Sequence, residues 1–377
     1  MEKDVKIEQN FFKEIRMKKI FKWTLFAVAT LSLVACGAGG QKTSSQQSKM
    51  EKTAKNVVSD GQMELRLKGG QYIKPPVLHE SEDGTYLALQ LEFKNLTKDS
   101  VNVSDSDVTI YDADNNKVQL TTGIYDKSEA FQLLKSDQLA QDKKLTGYVV
   151  FPVEKGKTYE LQYERKTYSS DKKSKPLKIA IDSSKYEDKV EASTLLADEY
   201  INQVFFSGQR KIKKDADFVL GTDLKKERSD FRAKFAADFT RKLHDYQFPE
   251  EEVTQFIDAY EKENAKRAKL TYKVKQYLPD KAVISLNPET VSMEKTILNH
   301  MQTFYQEHRK DYSSIIEANQ AQNKAYREEM MASLADRPLT TPDRYEYQMT
   351  FVKKDGKWEV EKSYNSDSFM EKFEGNL

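Results

Sequence analysis

Cysteine is almost absent. Cys36 is the only one in 377 residues, so no disulfide can form within the chain, and an exported protein of this kind would carry a free, oxidisable thiol unless that sulfur is modified. Histidine is scarce too, with four in the whole chain, which leaves little material for a zinc site that needs three or four convergent ligands. Charge of either sign is not in excess. The formal net charge is +1, and residues 1–35 hold seven basic and four acidic side chains, so the remainder stands at −2. That balance gives no global pull toward nucleic acid. After Cys36 no apolar run approaches the roughly 20 residues of a membrane-spanning helix. No Gly-x-Ser-x-Gly, Walker loop or dinucleotide fingerprint occurs, and Glu307-His308 lacks the second histidine of a His-Glu-x-x-His zinc motif.

What is present begins at the N-terminus. Lys18, Lys19 and Lys22 precede an apolar run from Trp23 to Ala35 that is too short to span a bilayer. A positive start, a short apolar core and a small-residue exit make a secretory signal over residues 1–35, with Met17 as the natural start. Its exit, Leu33-Val34-Ala35-Cys36, resembles the bacterial lipobox. The resemblance implies a diacylglyceryl thioether on Cys36, cleavage before it, and a lipoprotein on the outer face of the cytoplasmic membrane of a Gram-positive-like cell. Two acyl chains give a lasting anchor where one gives marginal binding. The mature chain would then hold 342 residues, enough for two ordinary domains.

Residues 36–56 are rich in Gly, Ser, Gln and Lys and read as a flexible tether. Gly37 to Gly40 is no phosphate loop, since no strand precedes it and no helix follows. Residues 57–182 alternate like strands. Leu87, Leu89, Leu91 and Phe93 interleave with Ala88, Gln90 and Glu92, predicting one buried and one wet face. Val101 with Val103, Val108 with Ile110, Val118 with Leu120, Tyr148 to Val153, Tyr159 to Tyr163, and Leu177 to Ile181 predict further strands. Pro75-Pro76 should end a strand, because proline donates no ladder bond. Asp112, Asp114 and Asn116 have the spacing that opens an EF-hand, but Lys117 replaces its glycine and Gly123 its bidentate glutamate, so a polar hairpin turn is expected. His79 is expected in an exposed loop. From Tyr86 to Leu120, with Phe93-Lys94-Asn95, Ser104-Asp105 and Ile110-Tyr111-Asp112-Ala113-Asp114, and again at Gly147 to Phe151 and Tyr159-Glu160-Leu161, the chain resembles the telokin-like, immunoglobulin-fold domain of bacterial lipoproteins. That resemblance implies a β-sandwich for adhesion or interaction and carries no catalytic residue.

Residues 183–191 are polar and mark a linker, and residues 192–377 change to helical periodicity. Leu195, Leu196, Tyr200 and Val204 predict one helix stopping by Gly208. Phe231, Phe235, Phe239 and Leu243 predict a second, capped by Thr222 or Asp223, and Val253, Phe256, Ile257 and Tyr260 predict a third that opens at Pro249. Two strands joined near Pro279-Asp280 follow, then a long helix from Met293 to Ala332 whose apolar stripe includes His308 and Ile315. Last comes a hairpin turning at Asp355-Gly356, with Trp358 on its return strand and Phe369 and Phe373 in a docking tail. The order resembles the cystatin-like (NTF2-like) α+β domains of Gram-positive lipoproteins. The expected fold is therefore mixed: an all-β immunoglobulin-like sandwich followed by an α+β domain.

For chemistry, His300 and His308 are eight residues apart and face nearly the same way; a buried core histidine is the expectation for His308 over a general base. Tyr345 and Tyr347 suit a pocket or a sheet face equally. The basic runs Arg210 to Lys214 and Lys262 to Lys269 are interleaved with acids and read as solvated helical faces. The sequence thus points to a non-enzymatic surface protein with no metal or cofactor. Its partners would be membrane lipid through Cys36 and an extracellular protein or small ligand, but not nucleic acid. The alternatives are a small-molecule or weakly enzymatic pocket in the second domain, and an assembly or chaperone-like factor for exported proteins.

Overall fold

The computed structural model describes residues 56–76, 84–124, 130–165, 175–244, 247–293, 303–342 apart from 305 and 309, 344, 346–361 and 366–377. Leu33, Val34, Ala35 and Cys36, the tether before residue 56, His79, His300 and Tyr345 lie outside them.

Strands β1 (Val57–Ser59), β2 (Met63–Ile73), β3 (Tyr86–Asn95), β4 (Val101–Val103), β5 (Val108–Tyr111), β6 (Lys117–Val118), β7 (Asp137–Leu139), β8 (Lys144–Pro152), β9 (Thr158–Tyr163) and β10 (Leu177–Asp182) make the first half. β1-β2-β3-β8 form one antiparallel sheet and β10-β9-β5-β6 another, while β4 and β7 pair separately. The period-2 alternation puts Leu87, Leu89, Leu91 and Phe93 of β3 and Val149 and Phe151 of β8 on the side facing Ile110, Leu161 and Ile179, so both sheets share one core. Aromatic pairs cross between the sheets, Phe93 with Tyr163 at 4.9 Å and Phe151 with Tyr159 at 5.5 Å. β2 ends at Ile73, just before Pro75-Pro76 as anticipated. The face expected to be wet is not wholly so: Ala88 is fully buried, because Ile73, Ile124, Phe131, Val150 and Leu278 cover it with a second, smaller core. The strand expected over Val118 and Leu120 shrinks to Lys117–Val118.

The second half contains helices α1 (Leu195–Phe205), α2 (Leu224–Lys242), α3 (Glu250–Arg267), α4 (Ile315–Ala332) and α5 (Ser366–Phe373). A four-stranded antiparallel sheet runs in the order β11 (Lys269–Leu278), β12 (Lys281–Glu289), β13 (Tyr347–Lys354), β14 (Lys357–Glu361). Asp223 caps α2, its carboxylate accepting from the Lys226 N–H. Fourfold spacing then buries Phe231, Phe235 and Phe239 against Phe256 and Tyr260 of α3. Asp355 and Gly356 both take positive φ, 49° and 79°, as a tight two-residue hairpin turn demands. The Trp358 indole N–H donates to the Asp217 carbonyl at 2.8 Å. Segment 219–222 runs along β14: the Trp358 N–H donates to the Val219 carbonyl, and the Gly221 N–H donates to the Trp358 carbonyl.

One expected element fails. The helix predicted from Met293 to Ala332 is not continuous. Residues 310–314 form a turn, Ser314 sits in an extended conformation (φ −146°) and accepts from the Glu317 N–H, and α4 starts only at Ile315. The capping preference of serine for a backbone N–H two or three residues on outweighs the apolar periodicity here. Ile315 therefore lies 76% exposed instead of in the core.

The halves meet through main chain and side chain together. Lys74, just beyond β2, exchanges hydrogen bonds with Tyr277 of β11 at 2.9 and 2.8 Å. Leu278, fully buried, packs into the small core beneath β3 and β8. The residues between the halves are themselves fixed: Ser183 is buried and its carbonyl accepts from the Tyr72 hydroxyl at 3.0 Å, and Val190 packs against both main cores.

The C-terminus closes the second half. Phe373 stacks on Phe205 at 4.1 Å, Phe369 lies against Phe205 and Tyr347, and the Met293 N–H donates to the Gly375 carbonyl. At Gly375, φ is +77° and a Cβ would collide with the Tyr260 hydroxyl and the Val291 carbonyl. At Gly61, φ is +84° but the space around a Cβ is open. Gly61→Ala should therefore cost about 1 kcal/mol for the left-handed conformation alone, and Gly375→Ala about 3 kcal/mol or more because strain and overpacking add. Urea unfolding midpoints of the two variants check this; equal shifts would show that the tail is not seated as described.

Candidate functional site

The described residues form an open groove of about 380 Å³ along the outer edge of β8, lined by Asp105, Leu120 to Thr122, Ile124, Phe131 to Ser136 and Tyr148 to Val150. It arises from how that edge is covered. Segment 132–134 runs parallel to β8, with the Tyr148 N–H donating to the Gln132 carbonyl and the Leu134 N–H to the Tyr148 carbonyl, both at 2.8 Å. Gly147 permits this approach, since a Cβ there would come 2.6 Å from the Leu134 Cα. Continued in register, the same segment would next pair with Val150. Instead, the chain beyond Ser136 pairs with β4, and the Val150 carbonyl accepts from the Thr121 N–H at 2.7 Å. Two segments thus reach one strand edge and separate, and the groove lies between them.

Its floor is apolar. Ile124, Phe131, Leu134 and Val150 are buried, and Phe131 packs at a tilt of 45° against Tyr148, ring centroids 4.8 Å apart. Its rim is polar: Thr122, Gln132, Lys135 and Ser136 are exposed. Asp105 is half-buried and its Oδ1 already accepts from the Ser104 hydroxyl and the Ser106 N–H. Tyr148 has its hydroxyl pKa pushed up, first by burial and then by the Asp280 carboxylate from the β11–β12 turn. Both rim charges are single and opposite in sign, which suits a neutral or zwitterionic ligand better than a polyanion. None of the residues weighed in the sequence for chemistry lines this groove; Asp105, Leu120 and Tyr148 to Val150 entered that reading only as strand or resemblance positions. The one signal available was Gly147 inside a strand pattern, since an interior glycine there marks close backbone approach.

The residues that the sequence did single out lie elsewhere. Asp112 accepts from the Asp114 and Asn116 N–H groups and from the Asn116 side chain, so its carboxylate serves the β5–β6 turn. Those bonds hold its pKa below the ordinary value, the Asn116 backbone N–H first. His308 is not a core residue: its side chain is 44% exposed and pairs with Asp311 at 3.0 Å, a consequence of the broken helix around it. Tyr347 lies on the sheet, paired with Leu286 and packed at a tilt against Phe369. Arg210 to Lys214 lie in a loop, not on a helical face, and the Arg210 guanidinium is turned to the Ala268 carbonyl. Among the described residues no group of three or more His, Cys, Asp or Glu is placed to hold a metal ion.

Two buried charge clusters occupy the second half, and both are closed by the chain itself. Glu261 is 1% exposed and receives Arg228, Arg232 and the Ser207 hydroxyl at 2.9–3.0 Å. Lys234 bridges Asp238 at 2.6 Å and fully buried Glu374 at 3.1 Å, and Arg241 also holds Asp238 at 2.6 Å. Hydrogen bonds from Lys234 and Arg241 lower the Asp238 carboxyl to about 2, whereas burial raises that of Glu374. These clusters tie α2 to α3 and to the C-terminal tail.

A family described as a domain of unknown function (DUF4352) matches residues 43–174, about a third of the chain. The uncharacterized lipoprotein YcdA of Bacillus subtilis (strain 168) is 27% identical over 203 residues, 52% of this chain and 53% of that protein, so the chain spans about half the length of this curated relative. The crystal structure of YcdA aligns over 85% of this chain and 99% of its own, with a TM-score of 0.61 at 21% identity. The likeness shows a common mixed fold of antiparallel sheets and helices.

The Asp238 geometry has a signed consequence. A carboxyl lowered in the fold contributes stability above its ordinary range and loses it as pH falls toward the folded value. Between about pH 4 and about pH 2 the wild type should lose more stability than Asp238→Asn. Denaturant midpoints across that window test it, and parallel curves would remove Asp238 from the acid response.

Proposed function

We propose that this chain is a lipoprotein held on the outer face of the cytoplasmic membrane through acylated Cys36, acting there as a non-catalytic binding module. The observation that carries the anchor is Leu33-Val34-Ala35-Cys36 at the end of a basic, short apolar segment, in a chain with no other cysteine. The lipoprotein relative YcdA supports it. Among the described residues no helix is long and apolar enough to cross a membrane.

The first half is an immunoglobulin-like, telokin-like sandwich in this reading. The sheet orders support it: β2-β3-β8 in one sheet and β10-β9-β5 in the other interleave as an immunoglobulin-like fold requires. The second half is a cystatin-like (NTF2-like) domain in this reading, supported by three helices followed by a four-stranded antiparallel sheet with α4 between its second and third strands. The binding role draws support from the β8-edge groove, and from a second half whose interior is filled by Phe, Tyr and Trp side chains.

Cys36→Ala should abolish incorporation of labelled fatty acid and leave the protein as precursor or free in the medium; persistent label in that variant would overturn the anchor. Capture from intact cells with the anchored chain should recover a bound partner or ligand, whereas turnover of a defined substrate by the purified protein would overturn the non-catalytic reading.

A further inference from the structure

We infer that the β8-edge groove takes a short extended peptide with a free carboxylate, adding it to the edge of β8 at Val150. The inference rests on the binding-module reading above and names its ligand class.

The argument begins with one backbone donor. Within a strand the N–H and C=O of a residue point to the same side. The Val150 carbonyl points outward, since it accepts from the Thr121 N–H, so the Val150 N–H points outward as well. Its ladder neighbour Tyr148 has both outward groups satisfied by Gln132 and Leu134. For Val150 the described backbone bonds supply no acceptor, because the chain leaves the edge after Leu134 to pair Asp137–Leu139 with β4. A buried, unmatched N–H is rare and costs about 1–3 kcal/mol. Here it opens onto a groove wide enough for a ligand to supply the missing carbonyl.

The surroundings select among ligands that carry a carbonyl. An extended peptide presents one at alternate residues and needs no rearrangement to meet a strand edge. Ile124, Phe131 and Leu134 offer an apolar floor for a side chain beside the accepted carbonyl, and Thr121 and Thr122 offer hydroxyls at the rim. Lys135 stands exposed in the lining and supplies a cation for a terminal carboxylate. Asp105 in the same lining disfavours a polyanion such as a phosphate polymer. The volume, about 380 Å³, sits at the lower end of small-ligand sites and suits a few residues of peptide.

The test uses the full mature chain carrying Cys36→Ser, with the tripeptide Ala-Leu-Ala as probe, in free and C-terminally amidated forms, and free leucine. Calorimetry should show saturable binding of the free tripeptide, at least tenfold weaker binding of the amide and of leucine, and a shift of the Val150 amide resonance on titration. Lys135→Glu, an exposed substitution with little effect on folding, should weaken the free tripeptide at least tenfold and leave the amide unchanged. No binding at millimolar peptide, equal affinity for free and amidated forms, or an unmoved Val150 resonance would each overturn the proposal. If no peptide binds while the anchored chain still captures a partner on cells, this ligand class fails and the binding reading stands. If neither occurs, both fail.

Discussion

A sheet edge is a row of backbone donors and acceptors that must be matched by water, chain or partner, and the way three edges are closed in this protein organises most of what it shows. The β14 edge is closed by the irregular segment 219–222, which takes both main-chain groups of Trp358. The ends of β2 and β11 close each other through Lys74 and Tyr277. The β8 edge is closed from two directions, by Thr121 and by Gln132 to Leu134. The first closure seats the only tryptophan of the second half. The second joins the halves. The third stops one residue short, and the groove is what remains.

The junction between the halves is more than a polar connector. Tyr72 reaches the Ser183 carbonyl, Tyr186 lies over Gly70, and Val190 belongs to both cores. Leu278, the last residue of β11, completes the small core beneath β3. Rotation of one half against the other would expose that leucine and break the Lys74–Tyr277 bridge, so the two are expected to move together. The groove is lined by Ile124, Phe131 and Val150, all of which belong to that same small core. Its shape is therefore coupled to the presence of the second half.

The second half shows how buried charge can be structural. Glu261, Asp238 and Glu374 are each matched by cations from α2, and all three help to hold helices or the tail. Such clusters specify one arrangement more than they add stability, because desolvation offsets most of their attraction. Aromatic packing supplies the bulk: the run of phenylalanines on α2 meets Phe256 and Tyr260 on α3, and Phe205 meets Phe373 from the chain end.

Period-2 and fourfold spacing settled much locally. The strands around Leu87 to Phe93, the helix faces of Phe231 to Phe239 and Val253 to Tyr260, and the Asp355-Gly356 turn were legible because each depends on neighbours a few residues away. The same locality misled at Ile315 and His308, where a capping serine broke a periodic stripe, and at Ala88, whose apparent wet face is covered by Ile73 and by residues 36 to 190 positions further on. The proposed anchor at Cys36 rests likewise on a contiguous stretch of chain. What the tertiary structure alone decided is which edges meet which segments. The Val150 donor, the split between Thr121 and Leu134, and the pairing of Lys74 with Tyr277 have no local signature, because they follow from where distant segments come to rest once the cores have formed.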